Sequence, residues 1–125
     1  MGLPLACVFG KHGGSIIVSD VNADLVRSLN AGQCPYEEPG LPELVSALHA
    51  AGRLKATTDS ASAASVSDVV VIIVPAHLTA DRDIDFRILR AASASVGKGL
   101  KPGSLVVYET TVSVGGTRRE LIPVL

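Results

Sequence analysis

Short apolar, β-branched runs alternate along the chain with stretches whose apolar residues recur at helical spacing, and glycine or proline falls between them. This is the βαβ rhythm of a parallel sheet with flanking helices, so the predicted class is α/β. Leu5, Val8 and Phe9 predict a helix over residues 3–12, stopped by Gly13 and Gly14, because glycine accepts the left-handed conformation that ends helices. Residues 15–19 read as a short strand. Asn22 is placed to cap a helix with Leu25, Val26 and Leu29 inward and Gly32 at its end. Residues 33–41 read as a loop, and Pro42 as a first-turn proline of a helix whose stripe is Leu44, Val45 and Leu48, ending at Gly52. Residues 54–58 form a weak strand.

Asp59 is placed to cap a short Ala/Ser helix running to about Val66. Residues 68–74, Asp-Val-Val-Val-Ile-Ile-Val, carry the strongest strand signal. An apolar run without alternation implies burial on both faces, as in the middle of a parallel sheet. Asp85 is expected to cap a helix bearing Phe86, Leu89, Ala92 and Val96 on one side. Lys101-Pro102-Gly103 makes a turn into a strand over residues 104–108, and a last helix is predicted from near Gly115 to Leu125. No internal repeat or linker interrupts this order. The segment is expected to be cut short at both ends.

Composition narrows the class of function. At 125 residues the chain is at most one domain, and 47% hydrophobic against 18% charged residues is the balance of a folding, globular chain. Eleven Lys+Arg against twelve Asp+Glu, with no basic cluster, give no electrostatic footprint for nucleic acid or anionic lipid. The longest apolar stretch, residues 69–74, is far short of the roughly twenty residues that span a bilayer, and no signal pattern opens the chain, so a cytoplasmic location is expected. Cys7 and Cys34 fit neither a disulfide framework nor a metal motif and are expected to be free thiols.

In an open parallel sheet the ligand crevice lies beyond the carboxyl ends of the strands, which singles out four places. Asp20 follows the strand at 15–19, where a dinucleotide-binding fold uses a carboxylate to accept hydrogen bonds from the adenosine ribose; the plainer alternative is a carboxylate that ends a strand or helps cap the helix at Asn22. Asp20 lies eighteen positions after Gly2, close to the fingerprint spacing, yet of the three fingerprint glycines only the last has a candidate, Gly2, with no strand before it. Pro75-Ala76-His77 follows the strongest strand and can border a pyrophosphate or nicotinamide; His77 is a possible general base or simply a surface histidine. Glu109-Thr110-Thr111 follows the last strand, with two hydroxyls and a carboxylate to orient a ligand or water, or else a solvated strand end. The loop Tyr36-Glu37-Glu38-Pro39-Gly40-Leu41 either overlies a site or connects two helices. His12-Gly13-Gly14-Ser15 shares letters with an esterase oxyanion motif, but no Gly-x-Ser-x-Gly elbow accompanies it, and a glycine helix stop accounts for it.

Taken in order, Gly2-Leu3-Pro4-Leu5-Ala6, Asp20-Val21-Asn22, Asn30-Ala31-Gly32, Glu38-Pro39-Gly40-Leu41, Gly52-Arg53-Leu54 with Thr57-Thr58-Asp59, Val74-Pro75, Leu100-Lys101-Pro102-Gly103 and Thr110-Thr111-Val112 resemble the N-terminal NAD-binding domain of the UDP-glucose/GDP-mannose dehydrogenase family, the nucleotide-sugar 6-dehydrogenases. The resemblance covers nearly the whole chain. It implies a Rossmann-like parallel sheet and NAD as cofactor. It also implies oxidation of the C6 alcohol of a UDP- or GDP-sugar, such as UDP-glucose or UDP-N-acetylmannosamine, to a carboxylate in two NAD-dependent steps through a thiohemiacetal and thioester on a cysteine. By the same resemblance Gly2 is the last glycine of the dinucleotide turn, Asp20 holds the adenosine ribose with Asn22 beside it, Pro75 lines the cofactor, and Thr111 borders the nicotinamide and helps position the catalytic water.

The departures are specific. The family's usual Val-Pro-Thr is Val74-Pro75-Ala76 here, which removes a hydroxyl near the cofactor, and the usual Ser-Thr-x-Pro-x-Gly is Thr110-Thr111-Val112-Ser113-Val114-Gly115. By resemblance the first strand and its glycines belong before Gly2, and the sugar-binding domain with its nucleophilic cysteine and lysine belongs after Leu125, so neither Cys7 nor Cys34 inherits catalysis. The expected architecture is therefore a partial NAD-binding domain over residues 1–125, strand order 3-2-1-4-5 without its central strand 1, from a parent that dimerises or assembles further. Two rows of unpaired backbone groups at about 1–3 kcal/mol each when buried, set against a total stability of about 5–15 kcal/mol, leave the isolated chain weak in NAD binding and inactive. The rival reading is a stand-alone, non-catalytic α/β module that binds a nucleotide or a partner chain supplying the missing strand.

Overall fold

A computed structural model describes every residue from Met1 to Leu125, in two units, Met1–Asp59 and Ser60–Leu125. In the first unit, helix α1 (Gly2–Lys11) buries Leu3, Cys7 and Gly10. It ends where the sequence predicts: Gly14 N–H donates to Phe9 O at 3.0 Å, and the turn passes through Gly13 at φ +102°. Strand β1 (Ile16–Ser19) pairs in parallel with β2 (Leu54–Thr57), Ile16 opposite Leu54 and Ser19 opposite Thr57. Between them lie α2 (Ala23–Asn30) and α3 (Leu41–Ala50). Asn22 caps α2 as expected, its Oδ1 accepting the Asp24 and Leu25 N–H groups at 3.0 and 3.3 Å. Leu3, Cys7, Leu29, Leu41, Val45, Leu48 and Leu54 form one core, with Cys34 packed against it. Both cysteines are free, and burial in this core, followed by the proximity of Cys34, pushes the Cys7 thiol pKa up.

The outer edge of β2 is closed by a side chain. Asn30, the last residue of α2, donates from Nδ2 to Ala56 O at 2.9 Å and accepts from Ala56 N–H at 2.8 Å, so its amide stands in for one residue of a neighbouring strand.

In the second unit, α4 (Ser60–Ser65) leads to β3 (Val69–Ile72), which pairs in parallel with β6 (Leu105–Tyr108), Val69 opposite Leu105 and Ile72 opposite Tyr108. The core is Ala64, Ile72, Leu89, Val96 and Leu121, with Val70, Phe86, Val106, Tyr108 and Val112 packed on it. Two expectations need correction here. The run at 68–74 is not buried on both faces: Val69 is 52% exposed and only Ile72 of the strand is fully buried, because β3 turns Val70 and Ile72 toward the core, on which α5 packs, and Val69 to the other face. The last helix is also irregular. A π-helical turn over Thr117–Leu121, closed by Ile122 N–H on Thr117 O, gives way to a 3₁₀ turn over Ile122–Val124. Pro123 has no N–H to give to the carbonyl four residues back, so a regular α-helix cannot run through it.

Residues after Pro75 are not a plain loop. His77–Leu78 (β4) and Ile84–Asp85 (β5) form an antiparallel hairpin, His77 opposite Asp85, whose tip places Arg82 at φ +62°. Thr79 closes the tip, its N–H donating to Asp83 O at 2.7 Å and its Oγ1 accepting Asp83 N–H at 3.1 Å. The hairpin delivers Asp85 to the start of α5 (Arg87–Gly97), where the expected capping is seen one residue early: Asp85 Oδ1 accepts Arg87 N–H at 3.0 Å. The Arg87 guanidinium donates to the same carboxylate at 2.6 to 3.0 Å. Those side-chain hydrogen bonds, then the backbone one, lower the Asp85 pKa from 3.8 to about 2. A folded-state value below the ordinary one means that this interaction supports the fold above pH 3.8 and is lost as pH falls toward 2. A carbon-13 titration of the Asp85 carboxyl is expected to show its midpoint near 2; a midpoint at the ordinary value would show the pair to be absent in solution.

Candidate functional site

In the first unit, α1 and β1 are joined by residues 12–15 and pack against one another, so they run antiparallel. Ten helical residues rise about 15 Å and four strand residues about 13 Å, which brings the N-terminus of α1 level with the C-terminus of β1. Gly2, the first residue of α1, and Asp20, the first after β1, therefore share one end of the unit. The first intrahelical bond is Leu5 N–H to Met1 O at 3.4 Å, which leaves the Gly2 and Leu3 N–H groups without a helical acceptor and aimed out of the helix end. That is the arrangement that attracts a phosphate oxygen.

Asp20 is held from two sides. Its N–H donates to Thr57 O at 3.2 Å, adding one rung to the β1–β2 ladder, and its Oδ1 accepts Asn22 N–H at 2.8 Å. The carboxylate is thereby oriented by one oxygen while Oδ2 stays open to a ligand hydroxyl. The Asn22 Oδ1 is engaged in capping α2, and its backbone N–H fixes Asp20. A pair of vicinal hydroxyls fits the open carboxylate oxygen, and a pyrophosphate fits the α1 N-terminus.

In the second unit the paired ends of β3 and β6 present Pro75 and Thr111 at equal distances along the chain, three residues after Ile72 and three after Tyr108. Glu109 N–H donates to Ile72 O at 3.1 Å and continues the ladder to the start of the corner. Val112 packs on the core, whereas Pro75, Glu109 and Thr111 face solvent. Thr111 thus offers a free hydroxyl, with half-buried Thr110 beside it. His77 is drawn into the exposed hairpin opposite Asp85, a placement that gives it a structural neighbour.

The remaining candidates resolve into connectors. Residues 31–40 join α2 to α3, with Leu41 N–H on Glu38 O at 3.0 Å and Gly40 at φ +79° as the N-cap of α3. His12-Gly13-Gly14-Ser15 is the α1 stop. Pattern reasoning missed Ser93 and Tyr108, whose hydroxyls meet at 2.7 Å behind the Thr111 corner. The available signal was slight: a tyrosine ending an otherwise aliphatic strand, and a serine on the apolar face of α5.

Parallel strand pairs with helices returning between them, a helix N-terminus level with a strand-end carboxylate, and hydroxyls beyond a second strand pair define a Rossmann-like dinucleotide-binding fold. The profile of the UDP-glucose/GDP-mannose dehydrogenase family, NAD binding domain, matches residues 1–125, and the chain belongs to that family. Among curated relatives it is 36% identical to the UDP-glucose 6-dehydrogenase AglM of Haloferax volcanii, covering 96% of this chain and 30% of that protein. It is 34% identical to the UDP-N-acetyl-D-mannosamine dehydrogenase of Salmonella typhi, covering 95% and 27%. Among solved structures, a ternary complex of GDP-mannose dehydrogenase from Pseudomonas aeruginosa superposes with a TM-score of 0.90 at 28% identity, over 98% of this chain and 29% of that one. The UDP-N-acetyl-mannosamine dehydrogenase Cap5O of Staphylococcus aureus gives 0.89 at 32%, over 99% and 30%. The chain spans under a third of the length of each of these relatives. It corresponds to the NAD-binding domain, and its cofactor is NAD. No helix is long and apolar enough to cross a membrane.

Proposed function

We propose that residues 1–125 are part of the NAD-binding domain of a nucleotide-sugar dehydrogenase that oxidises the C6 alcohol of a UDP- or GDP-sugar, such as UDP-glucose or UDP-N-acetylmannosamine, to a carboxylate. The observation that carries this reading is Asp20: a carboxylate at the end of a parallel strand, with one oxygen fixed by Asn22 N–H at 2.8 Å and the other open, level with the free N–H groups of α1. In the first unit, Asp20 Oδ2 accepts from the ribose hydroxyls of NAD, and the Gly2 and Leu3 N–H groups donate to its pyrophosphate. In the second unit, Pro75 borders the cofactor and Thr111 Oγ1 lies beside the nicotinamide, where it orients a water. When bound, NAD⁺ supplies the hydride acceptor for alcohol oxidation. The groups that read the sugar and its base lie outside these residues. The protein works in the cytoplasm, contributes to polysaccharide biosynthesis, and assembles as a dimer or larger homo-oligomer without nucleic acid or membrane.

Calorimetric titration of the protein, made from its natural reading frame, with NAD⁺ and separately with ADP-ribose tests the cofactor half. Saturable binding of both, with ADP-ribose displaced by NAD⁺, is expected from the ribose and pyrophosphate contacts. Absence of binding by either would overturn the reading. Coupled production of NADH with UDP- or GDP-sugars then tests the substrate half, and NAD⁺ binding without turnover of any of them would favour a non-catalytic nucleotide-binding module.

A further inference from the structure

We propose that Ser93 and Tyr108 are positioning residues for Thr111: their linked hydroxyls fasten the end of β6 to α5 and so set where the Thr110–Thr111 corner stands. The inference rests on the proposed cofactor role of that corner. Ser93 is fully buried in α5, where a hydroxyl must find partners. Its Oγ–H donates to Leu89 O at 2.8 Å, one turn back in the helix. With its only proton used, Ser93 Oγ can meet Tyr108 Oη at 2.7 Å only as the acceptor, so the phenol is the donor. The direction of the chain is thereby fixed: Tyr108 Oη–H to Ser93 Oγ–H to Leu89 O. Burial raises the Tyr108 pKa and keeps the phenol protonated for that purpose, although the Ser93 hydrogen bond pulls it the other way.

The corner beyond Tyr108 depends on this anchor. Glu109 N–H reaches Ile72 O, but Thr110, Thr111 and Val112 make no hydrogen bond through backbone or side chain, so the corner takes its position from its two ends and from Val112 packed on the core. At the far end, Gly116 lies so close to the Phe86 ring that a Cβ there would fall 2.9 Å from Phe86 Cζ, and Arg119 Nη2 donates to Val114 O at 3.3 Å. Phe86 enters α5 and Ser93 lies within it, so one helix holds the corner at both ends. Phenylalanine at 108 over alanine at 93 would fill much the same space, but without a directional bond, and a ligand-bearing hydroxyl needs its support fixed to within about 0.5 Å.

The test is a double-mutant cycle in the protein made from its natural reading frame, with Tyr108→Phe, Ser93→Ala and the double variant, reading both the NAD⁺ dissociation constant and the melting temperature. Each single change is expected to weaken NAD⁺ binding about fivefold, and the double change about fivefold as well, because one chain of hydroxyls is lost in every case. Should Ser93→Ala fail to fold with its orphaned phenol, the double variant, which leaves no hydroxyl unpaired, carries the reading. A lowered melting temperature with unchanged NAD⁺ affinity would reduce the pair to core packing and overturn the inference alone. Multiplying effects near twenty-five-fold would show the two hydroxyls acting separately and overturn it equally. Failure of the unaltered protein to bind NAD⁺ would overturn the cofactor reading and this inference with it.

Discussion

Gly99→Ala is expected to destabilise the second unit by about 3 kcal/mol or more, the largest effect of a methyl added at any glycine of the chain. A Cβ at Gly99 would stand 1.8 Å from Ala61 O and 2.6 Å from Ala61 C, inside any permissible contact. The obstacle is the backbone of α4, not a flexible side chain, so relief requires moving that helix away from the segment just after α5. Gly99 also closes the end of α5, its N–H donating to Val96 O at 3.0 Å, and cannot retreat without releasing that bond. Gly103→Ala is the control. A Cβ there meets nothing within 4 Å and the cost is confined to its φ of +89°, so it is expected to lose only about 1 kcal/mol. Urea unfolding of both variants decides the matter, and equal midpoints would show that α4 and the residues after α5 do not approach so closely.

Asp20→Ala is expected to weaken NAD⁺ binding about tenfold to a hundredfold, the range for losing hydrogen bonds to a charged group. The variant removes two things together: the open Oδ2 and the Oδ1 that accepts Asn22 N–H. Asp20→Asn separates them, because an amide oxygen can still accept from Asn22 while its NH₂ and lost charge disfavour the ribose contact. If Asp20→Asn melts like the unaltered protein and still binds NAD⁺ poorly, the carboxylate acts on the ligand directly. If both variants bind NAD⁺ like the unaltered protein, Asp20 is a strand-end carboxylate and no more, the plainer of the two readings its position allows.

Much of this molecule is legible where a short range of chain decides the outcome. The Asn22 cap, the glycine stop after Lys11, the first-turn proline at 42 and the αL glycines at 32, 52 and 103 each depend on a few neighbouring residues. Of the predicted stripes, Val45, Leu48, Leu89 and Val96 are buried and Leu44, Phe86 and Ala92 half-buried, since a helix's periodicity is a property of its own backbone, whereas in α1 Leu3 and Cys7 go inside and Val8 and Phe9 stay exposed. The hairpin after Pro75 is less legible, because two-residue strands carry almost no pattern and the tip uses Arg82, not glycine, at positive φ. The π-helical turn at 117–121 escapes pattern for a related reason: its apolar spacing is helical, and only the proline at 123 marks that regular hydrogen bonding must stop.

The candidate site divides in the same way. Asp20, Pro75 and Thr111 follow apolar runs and are visible as strand-end residues, and Gly2 is visible by its spacing from Asp20. Their setting is not. That Asn22 orients Asp20 through its N–H while its side chain caps α2 is a matter of two residues' detailed geometry. That Asn30 closes the edge of β2 at Ala56 spans 26 residues, and the Ser93–Tyr108 bond spans 15. By itself the sequence determined the α/β class, the order of the main helices and strands, their caps and stops, and the family, because these rest on local backbone preference and on a register of short motifs. The strands pair as the expected order 3-2-1-4-5 requires, but tertiary structure alone decided which valines of β3 meet the core and which polar groups brace the strand-end residues. Those outcomes depend on distance and direction between atoms far apart in the chain, which residue type and spacing do not encode.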